Sequence, residues 1–521
     1  MITFRFLITL SLPFLFFSFI VSGYSWNKVQ NWCNQTPNPE PCNYLLTNNP
    51  SYQHNLIKNK ADFYKLSLQL AQERALKGHA NTLSLGPKCN NNPRVKSAWA
   101  DCVELYEQTI IQLNKTLDPN TKCSQVDTQT WLSTALTNLE TCKAGFYELG
   151  VENYVLPLMS NNVTKLLSNT LALNKVPYQQ QPSYNQDGSF PTWVKPGDRK
   201  LLQTSSAPAS KANVVVAKDG SGKYTSLSAA INAAPKKGSG RYVIYVKAGV
   251  YNEQVEIKAK NIMLVGDGIG KTIITGSKSV GGGTTTFRSA TVAAVGDGFI
   301  AQDITFRNTA GAKNHQAVAL RSGSDLSVFY RCSFEGYQDT LYVHSDRQFY
   351  RECNIYGTVD FIFGNAAAVF QNCNIFARNP PNKVNTITAQ GRTDANQNTG
   401  ISIHNSRVLA ASDLKPVQSS VKTYLGRPWK QYSRTVFMKT SLDSLIHPAG
   451  WLEWSGDFAL KTLYYGEYMN TGSGSSTKSR VKWQGYHVMT SASEASKFTV
   501  GNFIAGNSWI PATKVPFTSS L

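Results

Sequence analysis

The sequence predicts a two-domain protein, with an all-α helical bundle at the N-terminus and an all-β parallel β-helix at the C-terminus. A chain of 521 residues is too long for one ordinary globular core. The N-terminal part is poor in glycine and shows helical periodicity, whereas the C-terminal part has short β-rich runs that repeat about every 20 residues. We expect a leader, a helical region, a linker and a β-helix at residues 1–23, 24–175, 176–212 and 213–521.

The N-terminal residues have the three-part pattern of a secretory signal peptide. Arg5 precedes a mostly apolar run, Phe6–Val21, and small residues lead to Gly23, where we expect cleavage. A membrane anchor is the competing interpretation, but this run of 16 residues contains polar residues and a proline and is short for a span. Three sequons agree with export. They predict glycosylation at Asn34, Asn114 and Asn162.

The region after the leader is predicted to be a bundle of helices, because its apolar residues recur on single helical faces. These residues are Leu56, Phe63, Leu66 and Leu70 on one face, and Leu132, Ala135, Leu136 and Leu139 on another. Six of the nine cysteines precede residue 150, which in a secreted chain indicates disulfides. The residues alone fix no pairing, and the odd total leaves one thiol free or paired between chains.

Residues 176–212 are predicted to be a linker because they contain repeated prolines and few apolar residues. A basic pair, Arg199 and Lys200, precedes Leu201 and Leu202 in this segment. Exposed loops are preferred sites of proteolysis, so we expect processing here. A chance basic pair is the alternative.

Short runs of β-branched and aromatic residues begin after the linker. We predict strands at 214–216, 242–246, 262–265, 289–292, 317–320, 328–330, 368–370 and 401–403, and one helix at 227–234. Similar phrases surround Cys332, Cys353 and Cys373, which are 21 and 20 residues apart, and indicate an internal repeat with one coil per unit. An antiparallel sandwich is less favoured because Asn-Gly hairpin pairs are missing between the strands.

The formal net charge of +20 comes mostly from the second half of the chain. A secreted basic protein is expected to meet polyanions, and for a wall or matrix protein these are acidic polysaccharides. Nucleic acid is a weaker alternative because of the export signal and because no dense Lys/Arg run is present. A soluble basic surface without a specific partner is the third interpretation.

Two carboxylates, Asp339 and Asp360, are predicted to form the reactive centre. They are 21 residues apart, so this repeat stacks them on neighbouring coils, about 5 Å from each other. A 22-residue register would instead align Gln316, Gln338 and Asp360. Neighbouring strand residues point to opposite faces, so both alignments hold only if the chain bends at Gln338-Asp339.

Two carboxylates at this distance cannot both ionise freely, so one pKa is expected to rise. A nucleophile and a general acid need this separation of roles, and glutamine amides can stabilise an oxyanion. Arg427 can hold a carboxylate, and Trp429 can stack on a sugar ring. The alternative, that both aspartates are turn or ladder residues of the solenoid, is less favoured because aromatic residues surround them.

Five phrases, in this order, carry a resemblance to a known family. They are GVYNE at 249–253, QAVAL at 316–320, GYQDTL at 336–341, DFIFG at 360–364 and LGRPW at 425–429. The chain resembles the precursors of plant pectin methylesterases, and its N-terminal half resembles the pectin methylesterase/invertase inhibitor family. The resemblance implies a four-helix bundle behind a short hairpin, followed by a right-handed parallel β-helix.

The resemblance implies hydrolysis of the C6 methyl esters of homogalacturonan to carboxylate and methanol. Asp360 would attack the ester, and Asp339 would protonate the departing methanol and then activate the water that cleaves the acyl-enzyme. Gln338 and Gln316 would stabilise the oxyanion, and Arg427 would orient Asp360. The family's substrate contacts match Thr286 and Trp429, and we expect a further stacking face at Trp451.

The resemblance also implies disulfides and partners. The implied pairs are Cys33–Cys42, Cys102–Cys142 and Cys353–Cys373, with Cys89 and Cys123 as an additional pair and Cys332 free. No metal or organic cofactor is implied. The helical region would be an inhibitor in cis, a folding aid, or both, until a protease cuts near Leu202, and separate inhibitor proteins are further expected partners. The mature enzyme is expected to be a monomer in the cell wall.

Two other functions compete with this interpretation. Polygalacturonases and pectate lyases share the β-helix, but the former need clustered aspartates with a Gly-His-Gly-like turn and the latter need acidic calcium sites. The sequence contains neither pattern. A non-catalytic wall-binding solenoid would use the same basic charge and aromatic residues, and it would release no methanol from pectin.

Overall fold

The structure is a computed structural model that describes residues 28–47, 57–89, 91–154, 162–174, 212–235 and 240–521. The predicted leader, Leu56 and the predicted processing site Arg199–Leu202 lie outside the described residues, as does the predicted linker except for its last residue. Helices occupy the chain up to Leu173, and strands begin at Val214. No helix of the described residues has the length and apolarity that crossing a bilayer requires.

The N-terminal region is a helical bundle behind a helical hairpin, as predicted. Its helices are α1 (28–34), α2 (Pro39–Thr47), α3 (Lys60–Ser84), α4 (Gly86–Cys89), α5 (Pro93–Leu117), α6 (Gln125–Glu148) and α7 (Val163–Leu173). The side chains of Asn92 and Ser124 accept backbone N–H groups and so cap the N-termini of α5 and α6. The predicted apolar faces are buried, as Phe63 and Leu139 show.

Two disulfides fasten the helices. Cys33–Cys42 joins α1 to α2, and Cys102–Cys142 joins α5 to α6, as the resemblance implied. Cys89 and Cys123 are free, so the additional pair is wrong. Their surroundings differ, because Cys89 is buried at the end of α4 whereas Cys123 is exposed in the turn before α6.

The second region is a parallel β-helix of three sheets. The long sheet contains β1 (Val214–Val216), β2 (Tyr242–Val246), β5 (Ile262–Gly266), β8 (Ile300–Gln302), β11 (Ser327–Tyr330), β14 (Arg347–Arg351), β17 (Ala367–Gln371), β20 (Gly400–His404), β23 (Arg434–Met438), β25 (Tyr464–Tyr468) and β26 (Tyr486–Val488). The second sheet is called the cleft sheet, because Asp339 and Asp360 lie just before two of its strands. It contains β4 (Val255–Ile257), β7 (Val292–Ala294), β10 (Leu320–Ser322), β13 (Leu341–Val343), β16 (Ile362–Gly364), β19 (Val384–Gln390) and β22 (Lys422–Gly426). The third sheet contains β3 (Gly249–Asn252), β6 (Thr272–Gly276), β9 (Thr305–Asn308), β12 (Ser333–Glu335), β15 (Asn354–Gly357), β18 (Asn374–Ala377), β21 (Arg407–Ala410) and β24 (Ser441–Leu442).

Stacked side chains fill the interior of the coils and confirm the internal repeat. Phe329 pairs in register with Tyr350, which pairs with Phe370. Their rings stack with centroids 4.7 Å and 4.4 Å apart. The steps between them are the same 21 and 20 residues that separate the three cysteines of this region. Each coil therefore buries one aromatic ring on top of the last.

The predicted Cys353–Cys373 disulfide is wrong, because Cys332, Cys353 and Cys373 are all free and buried. The strands before them pair in register, so these cysteines occupy equivalent positions of successive coils. Side chains there are about one strand spacing, 4.8 Å, apart, which exceeds the usual Cβ separation of a disulfide. The thiols donate hydrogen bonds to backbone carbonyls instead, that of Cys353 to Phe329 at 3.3 Å.

Two predicted strands begin later than expected. Residues Phe287–Ser289 form a short 3-10 helix, and the neighbouring strands begin at Val292 and Leu320. The hydroxyl of Ser289 donates to the carbonyl of Thr286 and accepts from the N–H of Val318, so a side chain takes the place of a backbone acceptor for Val318. The predicted helix is α8 (Leu227–Asn232), and α9 (Ala492–Ser496) and α10 (Val500–Phe503) follow the last strand.

Candidate active site

The cleft sheet brings the predicted carboxylates together. Leu341 pairs with Ile362, and each lies two residues after one of the two aspartates. Asp339 and Asp360 therefore occupy equivalent positions of adjacent coils, as the 21-residue spacing predicted. Arg427 follows β22 at the other end of the same group of strands.

The backbone bends sharply at both aspartates. Asp339 has φ 60° and Asp360 has φ 52°, in the left-handed region that Asp tolerates better than most residues. The bend expected at Gln338-Asp339 is therefore present. Strands β10, β13 and β16 use the 21-residue register, which aligns Gln316 with Tyr337 rather than with Gln338. Gln316 and Gln338 are both half-buried.

Asp360 is 6% exposed and is held by two residues. The Arg427 guanidinium donates to both of its oxygens, from Nε to Oδ1 at 2.8 Å and from Nη2 to Oδ2 at 2.6 Å. The Thr386 hydroxyl donates to Oδ1 at 2.6 Å and accepts the Asp360 N–H at 2.9 Å. This environment stabilises an oriented carboxylate anion.

Asp339 lies beside that anion in a different environment. It is 7% exposed, and burial raises its pKa well above the usual range. The neighbouring carboxylates of Asp360 and Glu148 raise this pKa further, whereas Arg427 opposes them. Within the pair, the surroundings of Asp339 favour its protonated form.

Aromatic side chains form one wall of the cleft. Tyr342 and Phe363 stack with ring centroids 4.2 Å apart, and Trp429 meets Phe363 edge-on at 6.0 Å. Gly391 makes room for Trp429, because a Cβ at this position would lie 2.8 Å from the indole. Trp454 covers the Arg427 guanidinium at 4.3 Å. Ring faces next to polar groups suit sugar binding.

The expectation that Trp451 supplies a stacking face is wrong. Trp451 is 1% exposed and stacks inside the β-helix on Tyr465, with centroids 4.1 Å apart. Its indole N–H donates to the Glu467 carboxylate at 3.3 Å. Trp454, three residues later and 37% exposed, faces the site instead.

Helices of the N-terminal region cover the cleft. Cleft residues pack into the hydrophobic core of the bundle, namely Phe287, Ala290, Val318, Tyr342, Phe363, Ala389 and Trp429. Glu148, the last residue of α6, accepts the backbone N–H of Thr286 at 3.0 Å. The pKa of Glu148 is raised by burial, a shift that the bonds from Thr286 and the charge of Lys430 oppose. The bundle thus places a carboxylate beside Asp339.

Charged side chains join the two regions around this contact. Arg347 of the β-helix binds Asp127 and Asp325 at 2.7 Å each. Lys115 of α5 binds Asp297 at 2.8 Å, and Arg288 binds Asp101 at 2.5 Å. At this contact the helices contribute mainly carboxylates, and the β-helix contributes mainly arginines.

Within the described residues there is no group of three or more His, Cys, Asp or Glu side chains that could hold a metal ion. The described side chains that meet here are a carboxylate held by Arg427, a second carboxyl with a raised pKa, and an aromatic wall.

Comparison with known proteins identifies a family for each of the two regions. Residues 213–507 match the model of the Pectinesterase family, and residues 27–173 match that of the plant invertase/pectin methylesterase inhibitor family. The first match covers more than half of the chain. The chain belongs to the pectinesterase family. It is a carboxylic ester hydrolase that carries an inhibitor-like N-terminal region.

Relatives resemble this pectinesterase over its whole length. A protein of Citrus sinensis named Pectinesterase 2 is 71% identical over 517 residues, covering 99% of both chains. An Arabidopsis thaliana protein named Probable pectinesterase/pectinesterase inhibitor 17 is 69% identical over 96% of both chains. The solved pectin methylesterase from carrot is 62% identical with a TM-score of 0.60, and 61% of this chain covers all of it. A β-helix of this family therefore stands alone in a solved relative.

Sequence patterns missed three residues of the pectinesterase site. Thr386 is 26 residues from Asp360, outside the regular repeat, and no motif marks it. Trp454 lies beyond the LGRPW phrase, and no motif marks it. Glu148 comes from the other region, so nothing in the sequence connects it with Asp339.

Proposed function

We propose that this pectinesterase hydrolyses the C6 methyl esters of homogalacturonan through an acyl-enzyme on Asp360. The observation that carries this proposal is the pairing of an Arg427-held carboxylate with Asp339, whose pKa is raised. One group is prepared as a nucleophile and its neighbour as a proton donor.

The reaction then has two steps. An Asp360 oxygen attacks the ester carbonyl, and Asp339 gives its proton to the departing methoxy group. Methanol is released, and the galacturonate acyl group remains bound to Asp360 as an anhydride. Asp339, now ionised, takes a proton from water, and the resulting hydroxide attacks the acyl group to release galacturonate and Asp360. The half-buried Gln316 and Gln338 amides are the proposed donors to the oxyanion in both steps.

Substrate binding is assigned to the aromatic wall and its neighbours. Trp429 supplies a ring face, and the Thr286 backbone N–H, which holds a carboxylate in this structure, supplies a polar contact. The net charge of +20 favours an acidic polymer. No nucleic acid partner is proposed, and the mature enzyme is proposed to act as a monomer.

The test uses the full chain with a protease site engineered between residues 203 and 211, cut after purification. The β-helix fragment isolated from it is called the cut enzyme. Asp360→Asn is expected to lower methanol release from methylated homogalacturonan by at least about a thousandfold, because the nucleophile is lost. The matched control is Asp457→Asn, an exposed aspartate, which should keep the activity. Full activity of the Asp360→Asn cut enzyme would refute the assignment.

We also propose that the helical region inhibits the enzyme in cis. Glu148 occupies the space next to Asp339, and the bundle covers Tyr342, Phe363 and Trp429, so a polymer has no access. In the uncut chain, Glu148→Ala is expected to raise methanol release. The matched control is Glu152→Ala, an exposed residue just beyond α6. An unchanged rate in Glu148→Ala would show that this carboxylate is not part of the block.

Export and maturation complete the proposal. The apolar N-terminal run supports secretion to the cell wall, and Asn34, Asn114 and Asn162 are exposed and available for glycans. Cleavage at Arg199–Leu202 by a processing protease would release the helices, which separate inhibitor proteins could then replace. Sequencing the N-terminus of the secreted enzyme tests this site, and a start before residue 199 would contradict it.

A further inference from the structure

A second charged cluster lies in the cleft, one coil beyond Asp339. Arg321 of β10 pairs in register with Tyr342 of β13, so its coil adjoins the coil of Asp339. Its guanidinium lies 3.4 Å over the ring of Phe287. Arg288 follows Phe287 directly. Two guanidinium groups therefore share one wall of the cleft.

Two carboxylates of helix α5 occupy this cluster. Asp101 accepts the Thr285 hydroxyl at 2.5 Å and lies 2.5 Å from Nε of Arg288. The two oxygens of Glu104 lie between the arginines, 3.5 Å from Arg288 and 3.7 Å from Arg321. The bundle thus presents acidic groups to a site that suits them.

Helix α5 fills the site only in part. Arg321 is 5% exposed, and its Nε has no hydrogen-bond partner in the described part of the protein. Its contacts with Glu104 and Glu256, at 3.7 Å and 3.6 Å, are longer than ordinary hydrogen bonds. A buried guanidinium donor without a partner is costly, which points to a ligand that satisfies it better.

We propose that Thr285, Arg288 and Arg321 form a subsite for a free galacturonate carboxylate of the pectin chain. In the uncut chain the carboxylates of α5 occupy this subsite. After cleavage a carboxylate of the substrate binds there. A planar carboxylate matches the guanidinium fork, and Phe287 keeps the Arg321 plane in position. The inference rests on the esterase function proposed above.

The position of the subsite separates it from the reacting ester. The coil of Arg321 is two coils from that of Asp360, or about 10 Å. The bound carboxylate therefore belongs to another sugar of the same polymer. Once α5 is removed, Glu256 is the carboxylate that the described part of the protein leaves beside Arg321 and Lys258, so the subsite, which also contains Arg288, keeps an excess of positive charge.

The subsite binds the carboxylate group that the reaction itself produces. Each hydrolysed ester leaves a carboxylate on the polymer, and that carboxylate can bind here while a neighbouring ester is attacked. The enzyme is then expected to prefer partly de-esterified over fully methylated homogalacturonan through a lower KM.

The test compares the cut enzyme and its Arg288→Gln variant on the two polymers. Arg288→Gln is expected to raise KM about tenfold on partly de-esterified homogalacturonan and about twofold or less on the fully methylated polymer, without a matching loss of kcat. A fully de-esterified oligogalacturonide should inhibit the cut enzyme and lose about tenfold in affinity with the variant. Arg407→Gln, an exposed arginine of the third sheet, removes the same charge as a control.

Three results overturn the subsite. They are equal KM changes on the two polymers, an unchanged inhibition constant, or the same effect in Arg407→Gln. If Arg288→Gln does not fold, Thr285→Val must reduce the oligogalacturonide affinity in the same direction. Failure of the proposed function looks different, because the unmodified cut enzyme would then release no methanol from either polymer.

Discussion

The interior of the β-helix and the surface under the helices are both buried, but they are built differently. The interior consists of ladders such as Phe329, Tyr350 and Phe370, in which every ring packs on the ring of the next coil. The covered surface holds charged groups, including Asp101 of the bundle and Arg321 of the cleft, and some of their atoms have no hydrogen-bond partner among the described residues. Apolar ladders make a permanent structure, whereas buried charges keep an interface separable because water satisfies them once it opens.

The largest effect is expected from breaking the interior ladder. Phe329→Ala removes a fully buried ring that lies between those of Phe299 and Tyr350, and it should lower the free energy of unfolding of the β-helix by about 3–5 kcal/mol. Chemical denaturation of the cut enzyme measures this. Val250→Ala, at a half-exposed position of β3, is the control with little expected change. A loss below about 1 kcal/mol in Phe329→Ala would mean that the ladder is not what holds the coils together.

The next effect concerns Thr386, which lies where the interior meets the cleft. Thr386→Val keeps the shape of the side chain but removes the hydrogen bond to Asp360, so kcat of the cut enzyme should fall about tenfold to a hundredfold. Thr386→Ser retains the hydroxyl and should restore most of the activity. Equal losses in Val and Ser variants would indicate that the methyl group, not the hydrogen bond, positions Asp360.

The covered surface should respond to pH, because burial raises the pKa of Asp101 to about 7 against an ordinary value of 3.8. Arg288, Arg321 and the Thr285 hydroxyl lower this pKa, and Glu104 raises it. Burial also raises the pKa of Glu104, next to Glu256 and Lys258. A group whose pKa rises on docking contributes stability at low pH, and this contribution is lost as the pH rises through about 7.

The helical fragment should therefore bind the cut enzyme more weakly at alkaline than at acidic pH, by up to about tenfold per pH unit for each proton released. Binding measured by calorimetry across this range tests the expectation. Asp101→Asn should flatten the pH dependence. Binding that strengthens with rising pH would contradict the sign of this argument.

The smallest effect is expected on the outer surface of the β-helix, away from its interior and from the surface under the helices. Arg331 and Asp303 form a half-buried ion pair with two contacts of 2.7 Å on the β-helix surface. Arg331→Met should change the free energy of unfolding by about 1 kcal/mol or less, because water partly screens the pair. A larger loss would show that charge contributes to the coils as well as to the covered surface.

Features that follow from the internal repeat could be predicted from the sequence. Contacts between segments that are distant in the chain could not. The 21-residue spacing located Asp339 and Asp360 because parallel coils stack equivalent positions. The same stacking made the Cys353–Cys373 prediction wrong, since equivalent side chains are held a strand spacing apart. Burial decided between Trp451 and Trp454, and burial follows from the whole fold.

Contacts between the two regions had no signal in the sequence. Glu148 meets Thr286 across 138 residues, and neither residue stands in a pattern that names its partner. Only the docked structure shows that the bundle places carboxylates where the cleft has arginines.

Methanol release before and after cutting tests the central claim, that acidic helices close an aspartyl esterase cleft, most directly. The chain with the engineered site between residues 203 and 211 is assayed uncut and then as the cut enzyme on methylated homogalacturonan, with the unmodified chain treated with the same protease as the control. Specific activity is expected to rise at least about tenfold, the change that 1.4 kcal/mol of docking free energy produces. Equal specific activity of the uncut and cut forms would contradict the account.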